Sequence, residues 1–466
     1  MLTSLCLALA SVAAADFDAL FTGRALRFDY FHVGSATEEH VCIDRYRIEG
    51  EWPGSRTRLV DDTNFGKYRL RVVDRASGRT VYSRGFASIY GEWETTGEAK
   101  TSWKSFHESQ RMPEPKAPVR LVLEKRWADG TFGPFYETDL DPASRFVDRS
   151  PVTQRGTAAV LFENGPAHAQ VDLLVLADGY TAAEQAKFDQ DAARLVGVMF
   201  DTEPYKSRRA DFSVRTLFVP AAQSGISNPR KDVWRDAPLG SSFNAFDVDR
   251  YVLTFANATL REVAAQVPYD ALVILFHSRK YGGGGIYNLW ATVASDSAAS
   301  PYLFVHEFGH SFAGLADEYY TSQVAYESFT TPGVEPWEPN VTALADPARL
   351  KWKDLVAVGT PLPTPWGQEA YDKLDVAYQK KRKELVDAKA PEEASEALFR
   401  EIHATTAPLL AAEKHNGKVG AFEGAAYEAK GLYRSEVDCI MFTRNPTSFC
   451  RVCRRAVERV IDLYTR

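Results

Sequence analysis

The sequence predicts an α+β protein: an N-terminal all-β sandwich domain, residues 16–150, followed by an α/β domain, residues 155–466, with a helical insertion at 366–413. Short alternating runs broken by turn signals fill the first part. Two continuous apolar runs separated by helical periodicity mark the second, and a stretch rich in Ala, Glu and Lys interrupts it. The chain has 466 residues, 45% hydrophobic and 25% charged, enough apolar content for a sizeable core and outside the range of disordered chains. A net charge of -7 provides no broad basic field, which argues against nucleic acid as the principal partner. No later segment reaches the roughly 18 uninterrupted apolar residues of a membrane span. Oligomeric state is not encoded legibly.

Residues 1–15 (MLTSLCLALASVAAA) are an apolar run ending in small residues before Asp16. This is the pattern of an export leader, so a secreted location, extracellular or periplasmic, is expected, although no Lys or Arg precedes the run. Cleavage after Ala15 would remove Cys6 and leave Cys42, Cys439, Cys450 and Cys453. In an oxidising compartment Cys439 could pair with Cys450 or Cys453. A zinc site at Cys450-x-x-Cys453 is disfavoured, because no second Cys pair and no neighbouring His accompanies it.

Runs such as Arg69–Val73 and Val119–Glu124, with turn signals at Ala76-Ser-Gly and Ala128-Asp-Gly, read as strands of the sandwich, and Asp139–Arg155 as a linker. Val171–Ala177 reads as a buried strand, followed by a turn at Asp178-Gly-Tyr and a helix opened by Thr181 and Glu184 in capping-box spacing. Ala271–Phe276 reads as a second buried strand. The glycine run Gly282–Gly285 precedes Ile286–Val293, a candidate edge strand able to take an extended peptide; a flexible turn is the competing reading of the glycines. Residues 366–413 read as two solvated helices broken near Ala390-Pro391.

The chemistry is concentrated in Ser300–Tyr320, which contains His306-Glu307-Phe308-Gly309-His310. Ser300 suits an N-cap and Pro301 the first helical turn, with Leu303, Phe304 and Phe308 buried. Spacing by four puts both imidazoles on one face, where each can give a nitrogen to one zinc ion (Zn2+), and Glu307 beside them can act as general base. Gly314 can reverse the chain so that a following carboxylate supplies a third ligand. Asp317 is the expected one and Glu318 the alternative, since either can bind zinc.

This run resembles the IgA-peptidase family of zinc metallopeptidases, relatives of the metzincins. Further blocks resemble the same family: Asp178-Gly-Tyr-Thr, the glycine-rich segment with Tyr287, Phe422–Tyr427, Gly431–Arg434, Asp438–Met441 and Phe449–Cys453. The resemblance implies a metzincin-like zinc endopeptidase domain with His306, His310 and Asp317 as ligands, Glu307 as catalytic base and Met441 in a Met-turn. One departure stands out. Metzincins place the glycine three residues after the second His and the third ligand three beyond, positions held here by Ala313 and Ala316.

Secondary expectations are weaker. Tyr433 could approach the metal, though core packing is favoured; His277 reads as structural; Asn257-Ala-Thr259 and Asn340-Val-Thr342 match glycosylation acceptors. The expected activity is zinc-dependent endopeptidase hydrolysis of a protein or peptide substrate. The alternatives are a carbohydrate- or surface-binding protein with a structural or vestigial zinc, and a zinc amidase acting on non-protein amides.

Overall fold

The computed structural model describes residues 17–321, 333–445 and 448–465. The expected leader at residues 1–15 lies outside them. After a short helix α1 (Phe17–Leu20), the chain forms strands β1 (Phe21–Gly34), β2 (Glu39–Glu51), β3 (Tyr68–Asp74) and β4 (Thr80–Phe86), then helix α2 (Ile89–Trp93). Strands β5 (Lys104–Pro115), β6 (Val119–Arg126), β7 (Phe132–Leu140) and β8 (Val147–Asp148) follow. They make two four-stranded sheets, ordered β5-β1-β2-β8 and β4-β3-β6-β7. Phe28, Ile48 and Met112 of the first share one core with Leu70, Val72 and Leu121 of the second, so the sheets stack as a sandwich. The segment read as a linker is partly structural, because β8 pairs with β2 through Val147 and Asp148.

Along β1, Leu26, Phe28 and Tyr30 face that core, while Arg27 and Asp29 point the other way and are nonetheless buried. The outer face is covered by later chain. Arg27 bonds Asp29, Glu49 at 2.7 Å and Glu262 at 2.7 Å, the last from helix α4 described below. Asp29 also accepts from Arg45 and Ser109. Burial opposes ionisation of both central groups, yet each holds the other charged: Arg27 is raised and Asp29 lowered from its ordinary value.

Strands β9 (Thr157–Phe162), β10 (Val171–Asp178) and β11 (Phe212–Phe218), with helix α3 (Gln185–Asp201) between the last two, begin the second region. It continues through β12 (Ser241–Ser242), β13 (Leu253–Thr254), α4 (Asn257–Ala264), β14 (Ala271–Phe276), β15 (Gly283–Ile286), β16 (Trp290–Ala294) and α5 (Ser300–Ala313). The main sheet runs β15-β16-β14-β10-β11-β9. Its β11-β10-β14-β16 centre is parallel, with antiparallel β9 and β15 at the edges. All eight residues of β10 are buried, as a continuous apolar run requires when both faces are covered. Leu173 and Val175 pack into the core shared with α3 and α5, and Leu174 and Leu176 into a second core with α4 and with Tyr90 and Trp93 of α2. Thr181 and Glu184 form the expected capping box.

The glycine run departs from expectation. Gly283–Ile286 is itself the edge strand, paired with Trp290–Ala294 one place inward. Beyond α5 come β17 (Val341–Thr342), helices α6 (Gln368–Asp387) and α7 (Glu392–Ala411), strands β18 (Phe422–Ala425) and β19 (Glu428–Arg434), and α8 (Arg451–Thr465). No helix among the described residues is long and apolar enough to cross a membrane.

Asp29→Ala leaves Arg27 short of a buried partner and is expected to cost about 3–5 kcal/mol of stability, read by denaturant unfolding. A loss below about 1 kcal/mol would show that Glu49 and Glu262 alone satisfy the guanidinium.

Candidate functional site

Helix α5 is buried on nearly all sides, including His306, at 3% exposure, and Glu307, at 9%. Phe308 and Phe312 stack on each other at 5.0 Å and reach Tyr205 and Phe212, which fixes the helix against the sheet. Its N-cap is Ala299 rather than Ser300, whose hydroxyl instead donates to the carbonyls of Ala294 and Ser297. Gly314 ends the helix at φ 62°, a left-handed conformation that costs glycine little, and turns the chain back beneath the histidines.

The two imidazoles are held by backbone carbonyls. His306 Nδ1 lies 3.0 Å from the Ile440 carbonyl and His310 Nδ1 2.5 Å from that of Leu315. A carbonyl only accepts, so a proton on Nδ1 suits both rings and leaves each Nε2 to present its lone pair; the Tyr302 hydroxyl also lies 3.0 Å from His306 Nδ1. The two Nε2 atoms are 3.1 Å apart, and Asp317 Oδ1 sits 3.0 Å from one and 3.3 Å from the other. Three acceptors in a buried triangle repel one another unless a positive charge sits among them. Their spacing is near the roughly 3.3 Å that separates ligands around a tetrahedral zinc bound at about 2.0–2.1 Å. Among the described residues Asp317 Oδ1 has no other hydrogen-bond donor, so His306, His310 and Asp317 could together hold such an ion.

The electrostatics agree. Burial opposes a charged His310, but the Asp317 carboxylate outweighs it and lifts the imidazole to about 9. Burial would likewise raise Asp317, yet His310 and His306 hold it well below the usual carboxylate range. Positive charge is therefore favoured among the three, whether proton or cation. Burial pushes Glu307 up, only partly countered by His306 and His310.

Glu318 is turned away: its Oε1 accepts from Asn340 Nδ2 at 3.1 Å and faces Cys453 Sγ at 3.4 Å. Asn340 also receives the Ala316 amide and donates to the Ala316 carbonyl, so a buried side chain holds residues 316–318 in place. The glycosylation reading fails here for that reason. It fails equally at Asn257, buried and donating to Ser109. Met441 is fully buried and its carbonyl accepts the Glu318 amide at 2.8 Å, so the 440–441 turn touches both the first histidine and the acidic segment.

Tyr433 is neither in the cleft nor in the core: it lies part-exposed on β19, opposite Thr342 and Glu423. The tyrosine at the site is Tyr427, whose hydroxyl donates to Asp317 Oδ2. It sits with Ala426 in the two-residue turn between β18 and β19, both at positive φ, 67° and 49°. Such turns favour Asn-Gly, so two side-chain-bearing residues here carry strain, offset by backbone bonds from Ala426 to the Asp317 carbonyl and from Tyr427 to that of Tyr319. His277 stacks on Tyr180 at 4.8 Å and contacts Asp296 at 3.1 Å, away from the triangle. Asp178 accepts the Leu239 and Ser241 amides and anchors their loop.

A cleft of about 890 Å³, counting its open mouth, lies over the triangle. Glu307, Gly283–Gly285, Arg250, Tyr319 and Tyr427 line it, together with Ala87 and Glu92 from the N-terminal region. Arg250 donates to the Tyr319 hydroxyl at 3.3 Å. The edge strand passes so close to α5 that a Cβ on Gly285 would meet the Glu307 carbonyl at 2.4 Å and His310 Cβ at 2.8 Å.

A buried H-E-x-x-H helix crossed by an edge strand, with a carboxylate returning to its histidines in a cleft, places the protein among the peptidases. The family is specific: residues 159–461 match IgA Peptidase M64 and residues 16–136 match Peptidase M64 N-terminus, so the chain belongs to the IgA peptidase M64 family. No curated protein matches it.

Gly285→Ala is expected to cost about 1–3 kcal/mol in stability and to abolish most peptidase activity, because the strand must lift off α5. Unchanged unfolding and turnover would mean that the strand yields freely.

Proposed function

We propose that the protein is a secreted zinc-dependent endopeptidase in which His306, His310 and Asp317 hold the metal and Glu307 is the catalytic base. The observation that carries this is the triangle of two Nε2 atoms and one carboxylate oxygen, 3.0–3.3 Å on a side, with both Nδ1 atoms against backbone carbonyls. When bound there, zinc supplies Lewis acidity, making water a nucleophile near neutral pH and polarising the scissile carbonyl.

The remaining roles belong to the chain. Glu307, one residue from His306 and facing the cleft, takes the proton of the attacking water and returns it to the leaving amine. Its raised affinity for protons, a consequence of burial, suits both halves of that transfer. Arg250 and Tyr319 place a cation and a hydroxyl in the same cleft, suited to the negative charge that develops on the carbonyl oxygen, while Tyr427 holds Asp317. Gly283 already exchanges backbone hydrogen bonds with Arg250 and Val252, so an extended peptide adds to the edge strand at its Gly285–Ile286 end, where the glycine lets main chain pass close to Glu307. The N-terminal region contributes a cleft wall, which favours one catalytic assembly over a free-standing binding module. A non-protein amide would engage the same atoms, and a peptide library distinguishes it. Secretion rests on the leader-like residues 1–15.

Glu307→Ala is expected to retain one equivalent of active-site zinc and lose at least about 100-fold in kcat, whereas His306→Ala or His310→Ala loses that metal as well. Full turnover by Glu307→Ala against a peptide library would overturn the assignment of the base.

A further inference from the structure

We propose that Glu318, Cys439, Cys450 and Cys453 form a second metal site, structural and suited to zinc, directly behind the candidate active site. The four residues come from three separate segments. Glu318 follows the turn after α5, Cys439 precedes Met441, and Cys450 and Cys453 flank the start of α8. Their ligand atoms nevertheless all lie within 4.8 Å of one another. Exposure is 0% for Glu318, Cys439 and Cys453 and 5% for Cys450.

Geometry separates a metal cluster from a disulfide. Cys439 Sγ and Cys453 Sγ are 3.9 Å apart. That is nearly twice a disulfide bond of about 2.05 Å, and close to the roughly 3.8 Å between thiolates around a tetrahedral zinc with bonds of about 2.3 Å. All three are free thiols. Glu318 Oε1 lies 3.4 Å from Cys453 Sγ, while Oε2 has no hydrogen-bond partner among the described residues. A fully buried carboxylate with one oxygen against a cysteine sulfur and the other without a donor among the described residues is poorly satisfied by protein alone and well satisfied by a cation.

The surroundings suit bound thiolates. The Cys450 amide donates to Cys439 Sγ at 3.2 Å, the Cys453 amide to Cys450 Sγ at 3.4 Å, and the Ser435 hydroxyl lies 3.2 Å from Cys450 Sγ. The N-terminus of α8 adds its positive dipole end. Three thiols and one carboxylate fill four positions and leave none for substrate, the pattern of a structural rather than a catalytic zinc. Loading replaces three S–H bonds with three S–metal bonds, releases three protons to solvent and changes no oxidation state. The consequence is mechanical. Glu318 is the neighbour of Asp317 and Cys439 lies two residues before Met441, so the ion would tie the acidic segment to the turn whose Ile440 carbonyl holds His306.

The test uses the full chain with His306→Ala and His310→Ala, which removes two of the three active-site ligands and leaves the second cluster untouched. Loaded with Co2+, it is expected to show thiolate-to-cobalt charge transfer and to bind one equivalent. Cys439, Cys450 and Cys453 should be shielded from alkylation until a chelator is added, while exposed Cys42 reacts throughout. No retained metal, no charge-transfer band, or a Cys439–Cys453 disulfide in protein purified without reductant would overturn the inference. It stands apart from the proposed activity: cobalt–thiolate signal with an inactive parent chain would sink that activity alone. A hydrolytic parent whose double variant binds nothing would sink this site alone.

Discussion

Two imidazoles on one helix, the first buried and the second half-buried, each with Nδ1 against a backbone carbonyl, present their remaining nitrogens to one carboxylate oxygen. That arrangement demands positive charge at one point, and much of the surrounding structure keeps it in register. The aromatic packing of Phe308 and Phe312 fixes the helix; Gly314 reverses the chain; Asn340 clamps residues 316–318; Tyr427 reaches Asp317 from a strained turn. The 440–441 segment then links the first histidine to the acidic run through two carbonyls.

The N-terminal sheets belong to the same assembly. The Arg27 network couples them to α4, Asn288 donates to the Gly85 carbonyl, and the Ala87 amide bonds the Tyr287 carbonyl beside the edge strand. Ala87 and Glu92 thereby become cleft residues. The cleft over the triangle is thus lined from both regions, and a molecule bound in it would touch both.

Much of this was legible in the sequence for definite reasons. Fully apolar runs such as Val171–Ala177 admit few readings other than a strand covered on both faces, and a four-residue His spacing fixes two side chains to one helical face. The sequence favours Asp317 and leaves Glu318 as the alternative, because residue type alone does not separate two adjacent carboxylates. The structure turns one toward the histidines and the other toward the cysteines. The cysteine cluster was hidden because its ligands lie far apart in the chain, and Cys450-x-x-Cys453 by itself showed only half of it. Glycines disfavour strands, so the run Gly282–Gly285 was open between a flexible turn and the approach to an edge strand; it pairs as that edge strand, and glycines stand there because side chains on Gly283 and Gly285 would collide with α5. Tyr427 was missed because its turn breaks the residue preferences of hairpins, while Asn340 and Asn257 matched a surface motif although both are buried.

The most direct measurement is anomalous diffraction at the zinc edge from crystals of the full-length protein. A peak bound by His306 Nε2, His310 Nε2 and an oxygen of Asp317 at about 2.0–2.2 Å is the expected result. A zinc-replete crystal with no anomalous density among those three atoms, or with Asp317 swung away from it, would contradict the metal centre on which the proposed chemistry depends.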